Sequence, residues 1–144
     1  MVQKKSIIIF LFLVSLASAF GNEAFAQRVT NGSYQTVAYI KSDGTIQDDG
    51  YRTIGHIKSD GTVQDGSYRT VGYLKSDGTV QAGNYSTLGR IRSDGTVQDS
   101  SYRTIVYVKD DGTVQDGSYR TIGYAKDIPK AWAAWYFFFS KIEQ

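Results

Sequence analysis

The sequence predicts an all-β domain in which tandem β-hairpins of 17 residues are arranged radially in a closed toroid. Three observations lead to this fold class. A unit of 17 residues recurs without insertion, turn signals occupy fixed positions in each unit, and apolar and polar residues alternate between the turns. The chain has 144 residues, which suffices for one small domain but not for two.

The composition narrows the classes of function. Sixteen Lys and Arg against fourteen Asp and Glu give a net charge of +2, which is too small for the basic surface of a nucleic-acid-binding protein. The absence of cysteine excludes disulfides, thiolate metal sites and cysteine nucleophiles. His56 is the only histidine, which argues against histidine-based metal or triad chemistry. We therefore expect neither a metal ion nor another cofactor.

Residues 1–26 are predicted to be a secretory signal peptide. Two lysines precede an apolar run over residues 7–16, and small residues follow in two A-x-A arrangements that end at Ala19 and Ala26. The run is shorter than the roughly 20 residues that span a bilayer. Cleavage after Ala26 is favoured because the repeat pattern resumes at Arg28. We expect an exported protein, periplasmic or at the cell surface, without a transmembrane segment after signal removal.

Residues 27–126 are predicted to form the repeat domain. Tyrosine recurs at every 17th position from Tyr34 to Tyr119, and the consensus reads Y-R-T-I-G-Y-I-K-S-D-G-T-V-Q-D-G-S. Residues 28–33 match the back half of a copy, and residues 119–126 match the front half. The five complete copies span residues 34–50, 51–67, 68–84, 85–101 and 102–118.

Each copy is predicted to contain one long and one short strand joined by tight turns. Asp-Gly pairs favour the positive φ of hairpin turns, and one turn signal lies in S-D-G-T and another in Q-D-G-S. In the third copy the long strand is expected over residues 68–75 and the short strand over residues 79–81. Glycine and the β-branched residues disfavour a helix here.

Alternation along the strands assigns the two faces of each hairpin. The inward set carries no charge in any copy and is represented in the second copy by Tyr51, Thr53, Gly55 and Ile57. The outward set is represented by Arg52, Ile54, His56 and Lys58. The short strands are expected to add one inward apolar column, which comprises Val29, Ile46, Val63, Val80, Val97 and Val114.

Closure of the repeats into a ring is predicted because an isolated two-stranded hairpin is not stable and an open stack leaves strand edges exposed. The half-copies at the two ends of the domain are expected to pair and complete the ring. Five D-G-T turns agree with five-fold symmetry, whereas six strands that begin with tyrosine leave a six-fold count open.

The unit Y-x-T-[IV]-G-x-[IV]-K-S-D-G-T-[IV]-Q, the exported N-terminus and the aromatic-rich end together resemble the 5-fold beta-flower proteins of bacteria. The resemblance covers about residues 28–144 and rests on the repeat and the tail together. It implies a small, exported, five-petalled all-β domain to which no activity is assigned.

Residues 127–144 form an aromatic C-terminal segment that begins around Pro129, the only proline. The spacing of its aromatic residues suits a helix, whereas three consecutive phenylalanines equally suit a buried strand, so both conformations stay open. The segment is expected to pack on or plug the repeat domain, because consecutive large aromatic residues are rarely left in water. The alternative is an exposed surface for a partner or membrane. The residues concerned are Trp132, Trp135, Tyr136, Phe137, Phe138 and Phe139.

The candidate ligand-binding residues are outward tyrosines with neighbouring arginines, because aromatic faces beside hydrogen-bonding groups suit sugar rings. Repetition would multiply weak sites by avidity. The alternative is cross-strand packing that stabilises the hairpins. The candidates are Tyr39, Tyr73, Tyr107 and Tyr124 with Arg52, Arg69, Arg103 and Arg120.

No catalytic residue is predicted. A glycosidase needs two carboxylates with distinct roles, whereas the turn aspartates are five equivalents that each stabilise a turn. We predict a non-enzymatic, exported structural or binding module of the bacterial envelope, whose partner would be an envelope glycan or protein. A carbohydrate-binding module is the first alternative, and a glycosidase that uses the turn aspartates is the second. The turn aspartates are Asp43, Asp60, Asp77, Asp94 and Asp111.

Overall fold

A computed structural model describes residues 25–142, in which twelve β-strands form one closed, barrel-like sheet. The predicted signal peptide lies outside the described residues as far as Ala24. The strands are β1 (Ala26–Asn31), β2 (Thr36–Lys41), β3 (Thr45–Asp48), β4 (Thr53–Ile57), β5 (Thr62–Asp65), β6 (Thr70–Leu74), β7 (Thr79–Ala82), β8 (Thr87–Ile91), β9 (Thr96–Asp99), β10 (Thr104–Val108), β11 (Thr113–Asp116) and β12 (Thr121–Tyr124). Helix α1 (Lys130–Phe137) and a 3-10 turn (Phe139–Lys141) follow.

The sheet is antiparallel throughout and closes through the two terminal half-copies. Each strand pairs with its neighbours in the chain, and β1 also pairs with β12, where Thr30 lies opposite Tyr124 and Asn31 lies opposite Gly123. The predicted all-β class and the closure through the half-copies are therefore confirmed. The expected five-fold count is not confirmed, because the half-copies add a sixth pair of strands to the five complete copies.

The S-D-G-T turns follow from their residue types. In the first of them, the Asp43 carboxylate accepts a hydrogen bond of 2.9 Å from the backbone N–H of Thr45. Gly44 has a φ of 89°, and a Cβ at this position would collide with the backbone carbonyl of Ile57 on the next strand. Glycine is therefore required here by both conformation and space, and the aspartate stabilises the turn with its hydrogen bond.

The second turn of each copy places tyrosine in the left-handed region. The six tyrosines that begin the copies have φ between 64° and 70°. The backbone N–H of Tyr51 donates to the carbonyl of Asp48 at 3.1 Å, which closes the turn before β4 begins at Thr53. A β-bulge follows in β4, because Gly55 lies opposite Ile46 whereas Thr53 lies opposite Gln47.

This bulge overturns part of the predicted face assignment, because the extra residue reverses the alternation of side chains. Tyr51 is 64% exposed and Thr53 is also exposed, so their predicted inward orientation is wrong. Gly55 and Ile57, which come after the bulge, are buried as predicted. The predicted inward column of the short strands is confirmed, and its members are Val29, Ile46, Val63, Val80, Val97 and Val114.

The C-terminal segment enters the interior of the closed sheet as a helix. Residues 130–137 form a helix, with Pro129 at its N-cap, so of the two predicted conformations the helix is the one observed there. The Lys130 ammonium pairs with the Asp110 carboxylate beside the turn between β10 and β11. Trp135 is 3% exposed and Phe139 is fully buried, and both belong to the same core cluster as the valines of the strands.

Small residues on the long strands make room for this helix. Eight strands enclose a space that their own side chains just fill, so a twelve-stranded sheet needs further bulk inside. A Cβ at Gly72 would lie 2.7 Å from Cζ3 of Trp135, and a Cβ at Gly89 would lie 3.0 Å from Cε1 of Phe139. At Gly72, Gly89 and Gly123 the repeated glycine therefore leaves space that aromatic side chains of the segment occupy.

Candidate functional site

The outer surface of the sheet carries six stacked side-chain pairs. Each pair joins an outward residue of a long strand to a tyrosine that begins a copy. The ring centroids are 4.6 Å apart for Tyr34–Tyr124, 4.8 Å for Tyr39–Tyr51, His56–Tyr68 and Tyr107–Tyr119, and 4.9 Å for Tyr73–Tyr85. In the sixth pair the Arg90 guanidinium lies 5.3 Å from the Tyr102 centroid. The stacking is therefore kept where histidine (His56) or arginine (Arg90) replaces the outward tyrosine.

Hydrogen bonds between hydroxyl groups fix the tyrosine pairs. The hydroxyl oxygens of Tyr39 and Tyr51 lie 3.2 Å apart, and the Tyr73 hydroxyl donates to that of Tyr85 at the same distance. This hydrogen bond is the main reason why the pKa of Tyr73 is raised above the ordinary tyrosine value. The four predicted tyrosines thus lie on the outer surface, each with one ring face against a partner.

Grooves run between neighbouring copies beside these pairs. One groove of about 410 Å³ is lined by Asp60, Tyr73, Leu74, Lys75, Ser76, Gln81 and Tyr85. A second of about 410 Å³ is lined by Asp77, Arg90, Ile91, Arg92, Ser93, Gln98 and Tyr102. Each residue of the second groove lies 17 positions after its counterpart in the first. The repeat therefore builds an equivalent groove of aromatic, cationic, carboxylate and amide groups more than once, with Arg90 in the place of Tyr73 in the second.

The carboxylates in these grooves also accept hydrogen bonds that stabilise the S-D-G-T turns. Asp60 accepts a hydrogen bond of 2.9 Å from the backbone N–H of Thr62, and Asp77 accepts an equivalent bond from Thr79. These hydrogen bonds are the main cause that lowers the pKa of both carboxyl groups. Both side chains are therefore ionised at neutral pH and can act as hydrogen-bond acceptors.

The four predicted arginines line neither of these two outer grooves. Each arginine Nε lies 2.8–3.0 Å from the carboxylate of the aspartate four residues earlier. At the junction of the third and fourth copies the two positions are Ala82 and Ser86, so both members of the pair are replaced together. In the first half-copy, Asn31 donates to Gln35 at 3.0 Å instead. The arginines therefore hold the second turn, and the cations in the two grooves are Lys75, Arg90 and Arg92.

The tyrosines that begin the copies are outer-surface residues that the sequence reasoning assigned to the interior. Their side chains are 63–70% exposed. One signal could have identified them, because an outward tyrosine lies 12 positions before this tyrosine in three of the six pairs. The exposed tyrosines are Tyr34, Tyr51, Tyr68, Tyr85, Tyr102 and Tyr119.

The six aromatic residues predicted in the C-terminal segment lie in or against the core. Trp135, Phe137 and Phe139 are buried, and the half-buried residues Trp132, Tyr136 and Phe138 pack on the same cluster. Burial is the main cause that raises the pKa of Tyr136. The described part of the segment thus directs its aromatic side chains toward the repeat domain.

Residues 25–142 contain no group of three histidine, aspartate or glutamate side chains that could hold a metal ion. In the same part of the chain, no helix has the length and hydropathy needed to cross a membrane.

Comparison with known proteins gives one match. A family model described as "5-fold beta-flower protein" matches residues 26–141, which cover the twelve strands, α1 and the 3-10 turn. No curated protein and no solved structure matches the chain significantly.

Proposed function

The chain belongs to the 5-fold beta-flower protein family, and we propose that it is an exported, non-enzymatic structural or binding module of the bacterial envelope. One observation carries this proposal. The polar side chains that recur in the copies hold the hairpins themselves, as with Asp60 on the Thr62 N–H and Arg69 on the Asp65 carboxylate. Such groups build a rigid surface that is repeated around a closed sheet, which suits multivalent contact better than a single reaction centre.

Export is the part of the proposal that rests on the signal pattern of residues 1–26. Cleavage after Ala26 would remove one residue of β1 and leave the pairing of Gln27 with Ile40. The test is expression of the full chain in a bacterium, followed by cell fractionation and mass measurement of the product. We expect a processed chain outside the cytoplasm that begins at Gln27. An unprocessed chain that stays in the cytoplasm would contradict export.

The lowered pKa of the turn aspartates supports a non-enzymatic function. A glycosidase needs a general acid with a raised pKa, whereas hydrogen bonds from Thr62 and Thr96 lower the pKa of Asp60 and Asp94. The test is the release of reducing ends from a panel of envelope polysaccharides by the mature chain. If hydrolysis occurs and is lost in Asp60→Asn with Asp94→Asn, the non-enzymatic proposal is wrong.

Carbohydrate binding is a second candidate function, and the equivalent outer grooves favour it. In the groove lined by Tyr73 and Tyr85, Tyr85 is 66% exposed, and Lys75, Asp60 and Gln81 supply charged and amide groups beside it. An exposed aromatic face can stack on the apolar face of a sugar ring, while the polar groups bond its hydroxyls. Several equivalent grooves would bind a repeating polysaccharide by avidity.

A glycan array followed by calorimetry tests this second candidate. We expect the mature chain to bind a polysaccharide more tightly than its short oligosaccharide. A variant with Tyr51→Ala, Tyr85→Ala and Tyr119→Ala should lose binding. The matched control changes Arg52, Arg69, Arg103 and Arg120 to glutamine, because these residues line neither of the two described grooves. No binding by the folded mature chain at high micromolar concentration would rule the candidate out.

A further inference from the structure

The helix inside the closed sheet lies off centre. Helix α1 packs against β10, and β4 lies six strands from β10 in the ring of twelve, on the opposite side. Aromatic side chains of the C-terminal segment reach Gly72 on β6, Gly89 on β8 and Gly123 on β12. At Gly55 on β4, the only side-chain atom within 4 Å of an added Cβ is Cδ1 of Ile46, at 3.7 Å. The sector at β4 is therefore not filled by the helix.

The unfilled sector is a cleft of about 930 Å³, within the size range of small-molecule sites. One wall is formed by the sheet, and the facing wall is formed by the C-terminal segment. The apolar lining consists of Ile46, Ile54, Gly55 and Val71 on the sheet and of Trp135 and Tyr136 on the segment. Because the indole and phenol rings face aliphatic side chains, the cleft suits a flat or chain-like apolar body.

The polar rim of the cleft carries more positive than negative charge. Arg69 and Lys141 supply two cations, whereas Asp65 supplies one carboxylate. Within the Arg69 guanidinium only Nε donates to Asp65, at 2.9 Å, and the arginine side chain is 81% exposed. The terminal amino groups of Arg69 therefore stay accessible, and this planar pair matches the two oxygens of a carboxylate.

We propose that this cleft binds a small amphipathic carboxylate, with its apolar body between Trp135 and Gly55 and its carboxylate on Arg69. Lys141 adds a second positive charge at the rim. The site is separate from the outer grooves, so it does not depend on carbohydrate binding. Among the six positions of this inward column, only Gly55 lacks both a larger side chain, as at Ala38 and Val106, and an aromatic partner.

The test uses the mature chain and three probes: 2-naphthoate, decanoate and the uncharged 2-naphthalenemethanol. Calorimetry and tryptophan fluorescence should show one site for a carboxylate, with the uncharged probe binding about 10-fold more weakly because it forms no charge-assisted hydrogen bond. Arg69→Gln should weaken carboxylate binding about 10-fold without changing the binding of the alcohol. Arg103→Gln is the matched control, because Arg103 makes the same bond to Asp99 but lies outside the cleft.

A second variant tests the location inside the sheet. Gly55→Val should abolish binding by filling the cleft. Val106 occupies the same column of another copy, but a Cβ at Gly55 would lie 2.9 Å from the Gln64 carbonyl oxygen, so the fold of this variant is checked first by circular dichroism. If Gly55→Val does not fold, the comparison of Arg69→Gln with Arg103→Gln still tests whether the carboxylate binds at this cleft. The proposal is overturned if no carboxylate binds the folded wild type, if binding survives in folded Gly55→Val, or if the two arginine variants weaken it equally.

Discussion

Tyr34 and Tyr124 stack on each other although 90 positions separate them in the chain. Their ring centroids are 4.6 Å apart, the planes differ by 10°, and the Tyr124 hydroxyl donates to that of Tyr34 at 2.9 Å. The pair of Tyr73 and Tyr85 makes the same contact across 12 positions. The ends of the domain are therefore joined by the contact that also joins successive copies.

Deletion of residues 28–33 should destabilise the domain strongly. It removes most of β1 and leaves β2 and β12 as open edges. We expect the Tm to fall by about 10 °C or more, since a loss of 1 kcal/mol lowers the Tm of a domain of this size by several degrees. The control replaces Arg28 and Ser33 with alanine, which keeps the strand. A change under about 1 °C in the deletion variant would favour an open stack.

Trp135→Ala should cost about 3–5 kcal/mol in the free energy of unfolding, because Trp135 is 3% exposed and its loss leaves a cavity between helix and sheet. Urea unfolding at 25 °C measures the difference. Trp132→Ala is the control, since Trp132 is only half-buried and should cost less. Equal costs for the two variants would contradict the central position of Trp135.

Truncation after Lys126 should unfold or aggregate the protein. It removes α1 and every aromatic residue of the segment, so the inner face of the sheet loses its largest apolar partners. Circular dichroism and light scattering measure the outcome. A folded, monomeric truncated chain would show that the sheet does not need the segment.

Gly72→Ala should be more destabilising than Gly55→Ala, although an added Cβ lies 2.9 Å from a backbone carbonyl oxygen at both positions. Only at Gly72 does it also meet the Trp135 ring, so we expect about 1–3 kcal/mol of additional overpacking cost. Thermal unfolding of the two variants provides the comparison. An equal loss of stability in the two variants would mean that the Trp135 ring moves away from the added methyl group of Gly72→Ala without cost.

Acid should destabilise the domain below about pH 4, the ordinary range of aspartate pKa values. Hydrogen bonds lower the pKa of the nine aspartates at positions 43, 48, 60, 65, 77, 94, 99, 111 and 116. Because their pKa is lower in the folded than in the unfolded chain, the unfolded chain binds more protons as the pH falls. Their stabilisation is complete above the unfolded-state pKa and is lost as the pH falls through the folded-state pKa.

Thermal unfolding between pH 7 and pH 2.5 measures this acid sensitivity. We expect a nearly constant contribution from these groups down to about pH 5 and a steep fall of the Tm below about pH 4. Asp60→Asn is the control, because its amide oxygen can still accept from the Thr62 N–H but does not titrate. A Tm that does not change down to pH 2.5 would contradict the lowered pKa values.

The sequence predicted those parts of the fold that depend on local residue types and on periodicity. The Asp43-Gly44 turn, the buried column that contains Val63, and the pairing of the terminal half-copies were predictable because each follows from the 17-residue unit. The outward orientation of Tyr51 was not predictable, because a bulge at the start of β4 reverses the alternation that the prediction assumed.

The candidate site was predictable only in part. The position of Tyr73 on the outer surface followed from alternation, but its partner Tyr85 had been assigned to the interior. The bond between Arg69 and Asp65 could have been inferred because both residues are replaced together at the junction of the third and fourth copies. The interior cleft could not have been inferred from the sequence, because its position depends on which strands α1 packs against inside the closed sheet.

The pairing of β1 with β12 also sets the order in which the domain can be completed. Hairpins form fast because their strands are neighbours in the chain. By contrast, the edge of β1 that pairs with β12 stays unpaired until β12, the last strand of the sheet, has been synthesised. The helix that fills the interior comes later still, at residues 130–137. A growing chain therefore stays an open, underpacked sheet until residues 121–137 have been synthesised, and the domain completes its fold only after the aromatic segment is available.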